Sequence, residues 1–188
     1  MRKVVSSLFV SIDGVVEAPD QWQFDVFDED MGAAMVKELA TLDAVLLGRV
    51  TYEEWASYWP NYPTDSLDAG FATFINNAPK YVVSNTLNSV GWGQFNNAHL
   101  IKGGDLAAEL ARLKSLPGKN IGVNGSPTLV RRLVLDGLLD RLTLLVHPVV
   151  AAYGKRRLFN DGDGIHQLKL VDHSVTGSGV ALLTYEPR

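Results

Sequence analysis

The chain holds 188 residues, is 46% hydrophobic and carries a formal charge of −4, which is the size and composition of one folded domain. An acidic balance lacks the basic face that a nucleic acid or membrane surface requires. With no cysteine, disulfides, thiolate zinc sites and cysteine nucleophiles are excluded together.

The opening MRKVVSSLFVSIDG places basic residues ahead of an apolar run. Ser6, Ser7 and Ser11 interrupt that run, Asp13 ends it, and no small-residue cleavage site follows, so a first strand over 3–10 is expected rather than a signal peptide. No stretch approaches the roughly 18 apolar residues of a membrane helix. A soluble cytoplasmic protein is the expectation. After a loop punctuated by Gly14, Pro19 and Asp20, Met31, Met35, Leu39 and Leu42 fall at helical spacing with acids in the first turn, predicting a helix from about 28 to 41. A strand over 43–48 and a short helix over 50–59, stopped near Pro60, come next. Helix 66–78, strand 80–86, strand 98–104 and helix 106–116 follow, the last with Asp105 available as its cap. Strand 119–123 opens onto a helix begun by Ser126 and Pro127 and closed by Gly137, whose stripe of Leu129, Val130, Leu133 and Val134 leaves Arg131 and Arg132 outward. Segments 140–150, 167–176 and 180–186 are then strands in succession, the last two joined by a Gly-Ser-Gly turn. Alternating strands and helices that end in a hairpin predict a single α/β domain over 1–188. Its central sheet is mostly parallel, with an antiparallel C-terminal hairpin and helices on both faces.

In such sheets ligands sit beyond the carboxyl ends of the strands. The residues there are Asp13-Gly14, Gly48-Arg49-Val50-Thr51, Ser84-Asn85-Thr86 and Asn124-Gly125-Ser126. Helix amino termini follow the second and fourth, and their unpaired N–H groups suit an anion. Gly48, Arg49 and Thr51 together offer a close backbone approach, a guanidinium and a hydroxyl, with charge-assisted bonds to a phosphate of about 1.5–3 kcal/mol each. The alternative is local: Thr51 caps its helix and Arg49 pairs with Glu53 or Glu54. Ser84 and Thr86 likewise read as turn formers, and Asn124-Gly125-Ser126-Pro127 as a cap and turn. The chain has no dinucleotide fingerprint between strand and helix, no Walker loop and no zinc spacing among its four histidines.

Taken in order, SIDGVV, LLGRVTYEEW, VVSNT, IGVNGSPTLVRRLVLDGLLDRLTLLVHPVV and SGVALLTYEPR resemble the dihydrofolate-reductase-like family. Within it they are most similar to the C-terminal reductase domain of bacterial riboflavin-biosynthesis deaminase-reductases, as a stand-alone member. The H-x-E and P-C-x-x-C motifs of a zinc deaminase half do not occur in this sequence. The resemblance implies NADPH as cofactor. It also implies that Gly48, Arg49, Thr51, Ser84, Asn85, Gly125, Ser126 and Thr128 bind it. It sets Gly14, Trp22, Phe24 and Asn124 at the substrate, and the proton donor is expected to be either Asp13 or a bound water. Many members read Gly-Gly or Glu-x-Gly where this chain has Asn124-Gly125-Ser126, and the riboflavin reductases often carry an acid at the Asn124 position. An early carboxylate grips the pteridine in dihydrofolate reductases, and Asp25, Asp28, Glu29 and Asp30 are the candidates here. The implied activity is hydride transfer to a small planar heterocycle of pyrimidine or pterin type, by a homodimer. The alternative is a dimeric nucleotide-binding protein that kept the cleft without turnover.

Overall fold

The computed structural model describes residues 1–23, 26–63, 65, 68–152 and 156–188. Eight strands form one sheet in the order β4-β3-β2-β5-β1-β6-β8-β7. They are β1 (Val4–Ser11), β2 (Leu42–Gly48), β3 (Lys80–Val83), β4 (Ala98–Ile101), β5 (Asn120–Val123), β6 (Arg141–His147), β7 (Leu168–Val175) and β8 (Ala181–Pro187). The first six run parallel, while β8 lies antiparallel to both β6 and β7. The helices are α1 (Glu29–Leu39), α2 (Arg49–Tyr58), α3 (Ala69–Asn77), α4 (Leu106–Ser115) and α5 (Pro127–Leu135).

The two-residue period of a strand sorts the core into layers. In β2, Ala44 and Leu46 join the cluster under α4 and α5, with Leu106, Leu110 and Leu133. The alternate Val45 and Leu47 join the opposite cluster under α2 and α3, with Tyr52, Ile75 and Trp92. α1 covers the far end of that second face through Met31 and Met35, against Phe9, Leu145 and Leu182. A central strand covered on both sides accepts apolar residues at nearly every position, which is why β2 reads as an unbroken run.

Local chemistry sets the ends. Asp28 caps α1 by accepting the Met31 N–H at 2.9 Å. Gly137, at φ +67°, closes α5 while the Leu138 N–H reaches Leu133 O at 2.8 Å, the left-handed stop that glycine favours. The expected strand over 98–104 ends early at Ile101, and a 3-10 turn occupies Gly103–Asp105. Asp105 makes no side-chain cap bond to α4. Arg131 is not free on the outside, because it forms a bidentate pair with Asp163, at 2.7 Å through Nε. Among the described residues no helix is long and apolar enough to cross a membrane.

Candidate functional site at the strand exits

Between β1 and β2 the chain later inserts β5, so strand order reverses there. A crevice opens at such a switch point. The exits of β2 and β5 meet along a seam that has no room for side chains. The Gly48 N–H donates to Gly125 O at 3.0 Å. A Cβ on Gly48 would stand 2.5 Å from Ser126 Oγ and 2.9 Å from the Ser126 nitrogen. Gly125, at φ +132°, would place a Cβ 2.8 Å from Thr51 Oγ1, and the Gly125–Ser126 peptide is cis.

Gly48 and Ser126 are the N-cap positions of α2 and α5, and neither gives a side-chain cap. Two helix amino termini therefore lie side by side; in α5 Pro127 has no N–H and the Leu129 N–H is taken by Ser126 O at 2.9 Å, which leaves that of Thr128. Thr51 and Ser126 hydroxyls make no hydrogen bond among the described residues. That donor set, on glycines that admit close approach, is the chemistry of an anion cradle. Arg49 stands at its rim, 45% exposed and 2.7 Å from Glu53, which is the local pairing the sequence also allowed. Thr128 is exposed on the first turn of α5.

The other predicted residues divide. Ser84 is buried, and its hydroxyl accepts the Thr86 and Leu87 N–H groups at 3.2 and 3.1 Å and lies 3.2 Å from Thr86 Oγ1. That makes it a turn former whose hydroxyl is occupied. Asn85 Oδ1 accepts the Gly103 N–H at 2.7 Å. Asn124 is half-buried, with its Oδ1 3.5 Å from where a Cβ on Gly122 would stand.

The structure corrects the reading of Asp13. One carboxylate oxygen takes the Ser11 hydroxyl at 2.6 Å and the Ala151 N–H at 3.0 Å, and the other takes the Ala152 N–H at 3.1 Å. The Ser11 bond first, then the Ala151 bond, holds its pKa down to about 2. Such a carboxyl is ionised near neutrality and has no proton to give. It clasps the β1 exit to the loop after β6. Gly14, at φ +85°, makes the turn beside it and donates to Ser11 O at 2.9 Å.

Trp22 is buried, with its indole N–H on Glu17 O at 2.9 Å. Its ring stands edge-on to His147, 5.4 Å between centroids, and Phe9 meets the same imidazole at 5.4 Å. His147 is fully buried. Its Nδ1 lies 2.8 Å from Leu145 O, Nε2 has no partner, and burial pulls its pKa down. It is a neutral packing residue. Phe24 and Asp25 lie outside the described residues. Asp28 Oδ2 accepts the Ser178 N–H at 2.7 Å and Asp30 accepts the Gly177 N–H at 2.9 Å, so these two acids pin α1 to the β7–β8 turn. Glu29 is exposed.

Gly103 and Arg132 also belong to this region, although nothing in their sequence context marks them. Arg132 Nη2 donates to Gly103 O at 2.9 Å. A separate cavity of about 500 Å³, lined by Glu38, Arg141, Thr143, Asp172 and Glu186, lies between α1 and the β6–β8–β7 face, away from these exits.

Comparison with known proteins agrees with this fold. YyaP of Bacillus subtilis (strain 168), itself uncharacterized, is 29% identical over 185 residues, 98% of this chain and 94% of its own. A diaminohydroxyphosphoribosylaminopyrimidine deaminase/5-amino-6-(5-phosphoribosylamino)uracil reductase of Thermotoga maritima superposes with a TM-score of 0.69 at 14% identity. It matches all of this chain and 57% of that one. Dihydrofolate reductase from Enterococcus faecalis, solved with NADP(H), gives a TM-score of 0.61 at 12% identity, covering 99% and 96% of the two chains. The fold is thus dihydrofolate-reductase-like. The model of the RibD C-terminal domain matches residues 2–182, and the chain belongs to that family.

Proposed function

We propose that the protein is an NADPH-dependent reductase that delivers hydride to a C=N or C=O carbon of a small planar heterocycle of pyrimidine or pterin type. The observation that carries this reading is the glycine seam, where two helix starts meet without side-chain caps and the Thr51 and Ser126 hydroxyls have no partner among the described residues. The T. maritima neighbour is named for a reductase step on a uracil, and the E. faecalis neighbour was solved with NADP(H). Both support the assignment.

NADPH supplies the hydride. The first-turn N–H groups of α2 and the Thr128 N–H of α5 would hold the pyrophosphate, with Thr51 and Ser126 adding their hydroxyls. Arg49 would exchange its exposed pair with Glu53, which is worth about 0.3–0.5 kcal/mol, for the stronger attraction of a phosphate dianion. Trp22 and His147 wall the β1 side and exclude water from the reacting ring. Asn124 presents an amide to the substrate. Bulk water supplies the proton, since Asp13 is held ionised.

A second reading, a nucleotide-binding protein without turnover, is favoured by one observation. Asp13, Asp28 and Asp30 each accept backbone N–H groups, so their placement is set by contacts within the fold. A homodimer completes the proposal. β7 is an eight-residue edge strand exposed along nearly its whole length, with Leu170, Val171 and Val175 in solvent.

The deciding assay follows NADPH oxidation with a ribitylamino-pyrimidinone or with dihydrofolate, on protein sized by light scattering. Turnover with either compound, by a particle of twice 20.5 kDa, is the expected result. Saturable binding with no oxidation of NADPH selects the second reading, and a monomeric mass contradicts the assembly.

A further inference from the structure

The loop after β3 and the turn after β4 are cross-linked by bonds outside the strand ladder, and one residue, Gly103, is held from both its N–H and its carbonyl. Gly103 is buried, its N–H donating to Asn85 Oδ1 at 2.7 Å and its carbonyl accepting from Arg132 Nη2 at 2.9 Å. Beside it the Ser84 N–H reaches Ile101 O at 3.0 Å, and Lys102 Nζ reaches Leu87 O at 2.7 Å. A Cβ on Gly103 would lie 3.0 Å from both terminal atoms of the Asn85 amide and 3.1 Å from Arg132 Nη1. Arg132 is steadied on its own helix by Asp136, 3.2 Å from Nε.

This arrangement fixes the orientation of one side chain. With Oδ1 committed to an N–H donor, the Asn85 amide has a defined face, and its Nδ2 group is the end left over. Nδ2 makes no hydrogen bond among the described residues. The cation responsible comes from α5, the helix whose first turn forms half of the glycine seam. One helix therefore both starts at the crevice and holds the loop on its far rim.

We infer that Arg132 is a positioning residue: by holding Gly103 in place it presets Asn85 with its amide nitrogen turned to the nucleotide. The inference rests on the proposed reading of the crevice as an NADPH site. A preset donor adds affinity because the loop pays no ordering entropy when ligand arrives. Removing Arg132 therefore weakens binding without removing any ligand contact.

The test measures NADPH affinity by tryptophan quenching, together with the thermal midpoint of the ligand-free protein. It compares wild type with Arg132→Met, Arg132→Lys, Asp136→Asn and Asn85→Asp. Arg132→Met is expected to weaken NADPH about tenfold, the scale of one hydrogen bond from a charged donor. Its ligand-free midpoint should stay within about 2 °C of wild type, as for most exposed substitutions. Arg132→Lys should recover part of the loss, and Asp136→Asn, which keeps the Gly103 bond, should bind as wild type does. Asn85→Asp retains an acceptor for Gly103 but has no donor, and should lose at least as much affinity as Arg132→Met. Wild-type affinity in Arg132→Met or in Asn85→Asp overturns the inference. So does a loss in Arg132→Met matched by an equal collapse of the midpoint. If wild type itself shows no saturable NADPH binding, the reading of the crevice falls and this inference falls with it.

Discussion

Asp13 shows how far a residue's chemistry can be read ahead of its partners. An Asp-Gly after a strand is either a turn or a functional carboxylate, and the deciding bonds come from Ala151 and Ala152, 138 and 139 residues away. Ser84 and Arg131 turn on partners in the same way, Ser84 on nearby N–H groups and Arg131 on Asp163. The folded pKa of Asp13, about 2, lies below its ordinary 3.8. Its contribution to stability is therefore complete above about 3.8 and is lost as pH falls toward 2. Asp163, held at about 2 by Arg131 and then by the Asn160 N–H, acts in the same window. Thermal midpoints taken from pH 5 down to about pH 2 should fall less steeply for Asp13→Asn than for wild type. Parallel curves would mean the clasp contributes nothing to acid stability.

Elements were more legible than residues, because periodicity and punctuation act locally. β2, α5 and the hairpin stand where their patterns place them, and Ser126, Pro127 and Gly137 bracket α5 as expected. β3 and β4 both end three residues short of the expected 86 and 104, at Val83 and Ile101. The two glycines that follow β4 belong to a turn held from α5 and from the β3 loop. The α3–β3 corner holds another feature that no pattern announces. Lys80 is fully buried, its ammonium spread over Asn76 O, Ala78 O and Asn97 Oδ1 at 2.7–3.0 Å and set 4.7 Å from the Trp92 ring. Burial pulls its pKa down to about 8, while the carbonyl cage and the ring favour the charged form. The α2–α5 seam is the element-scale feature on which the proposed function rests. Gly48→Ala forces a Cβ against the Ser126 backbone, 2.9 Å away. Overpacking of that kind typically costs about 1–3 kcal/mol. Urea unfolding should show that loss, and a variant as stable as wild type would mean the two helix starts are not in close apposition.

At the scale of the whole molecule, alternation of strands and helices was enough for a mostly parallel sheet ending in a hairpin, and the motif order was enough for the family. What could not be read was how strand order folds the motifs together. Gly48 and Gly125 are 77 positions apart, yet their peptides are hydrogen-bonded. Gly48 reads in sequence as a point of close backbone approach and Gly125 as part of a cap and turn, and only the pairing of β5 with β2 brings them into one wall. The measurement that tests the account most directly is a titration of the wild-type protein with NADPH and, separately, with NADH, read by tryptophan fluorescence. The account requires saturable binding of both through the shared pyrophosphate, with NADPH the tighter because Arg49 meets its additional phosphate. No saturable signal from either nucleotide would contradict it.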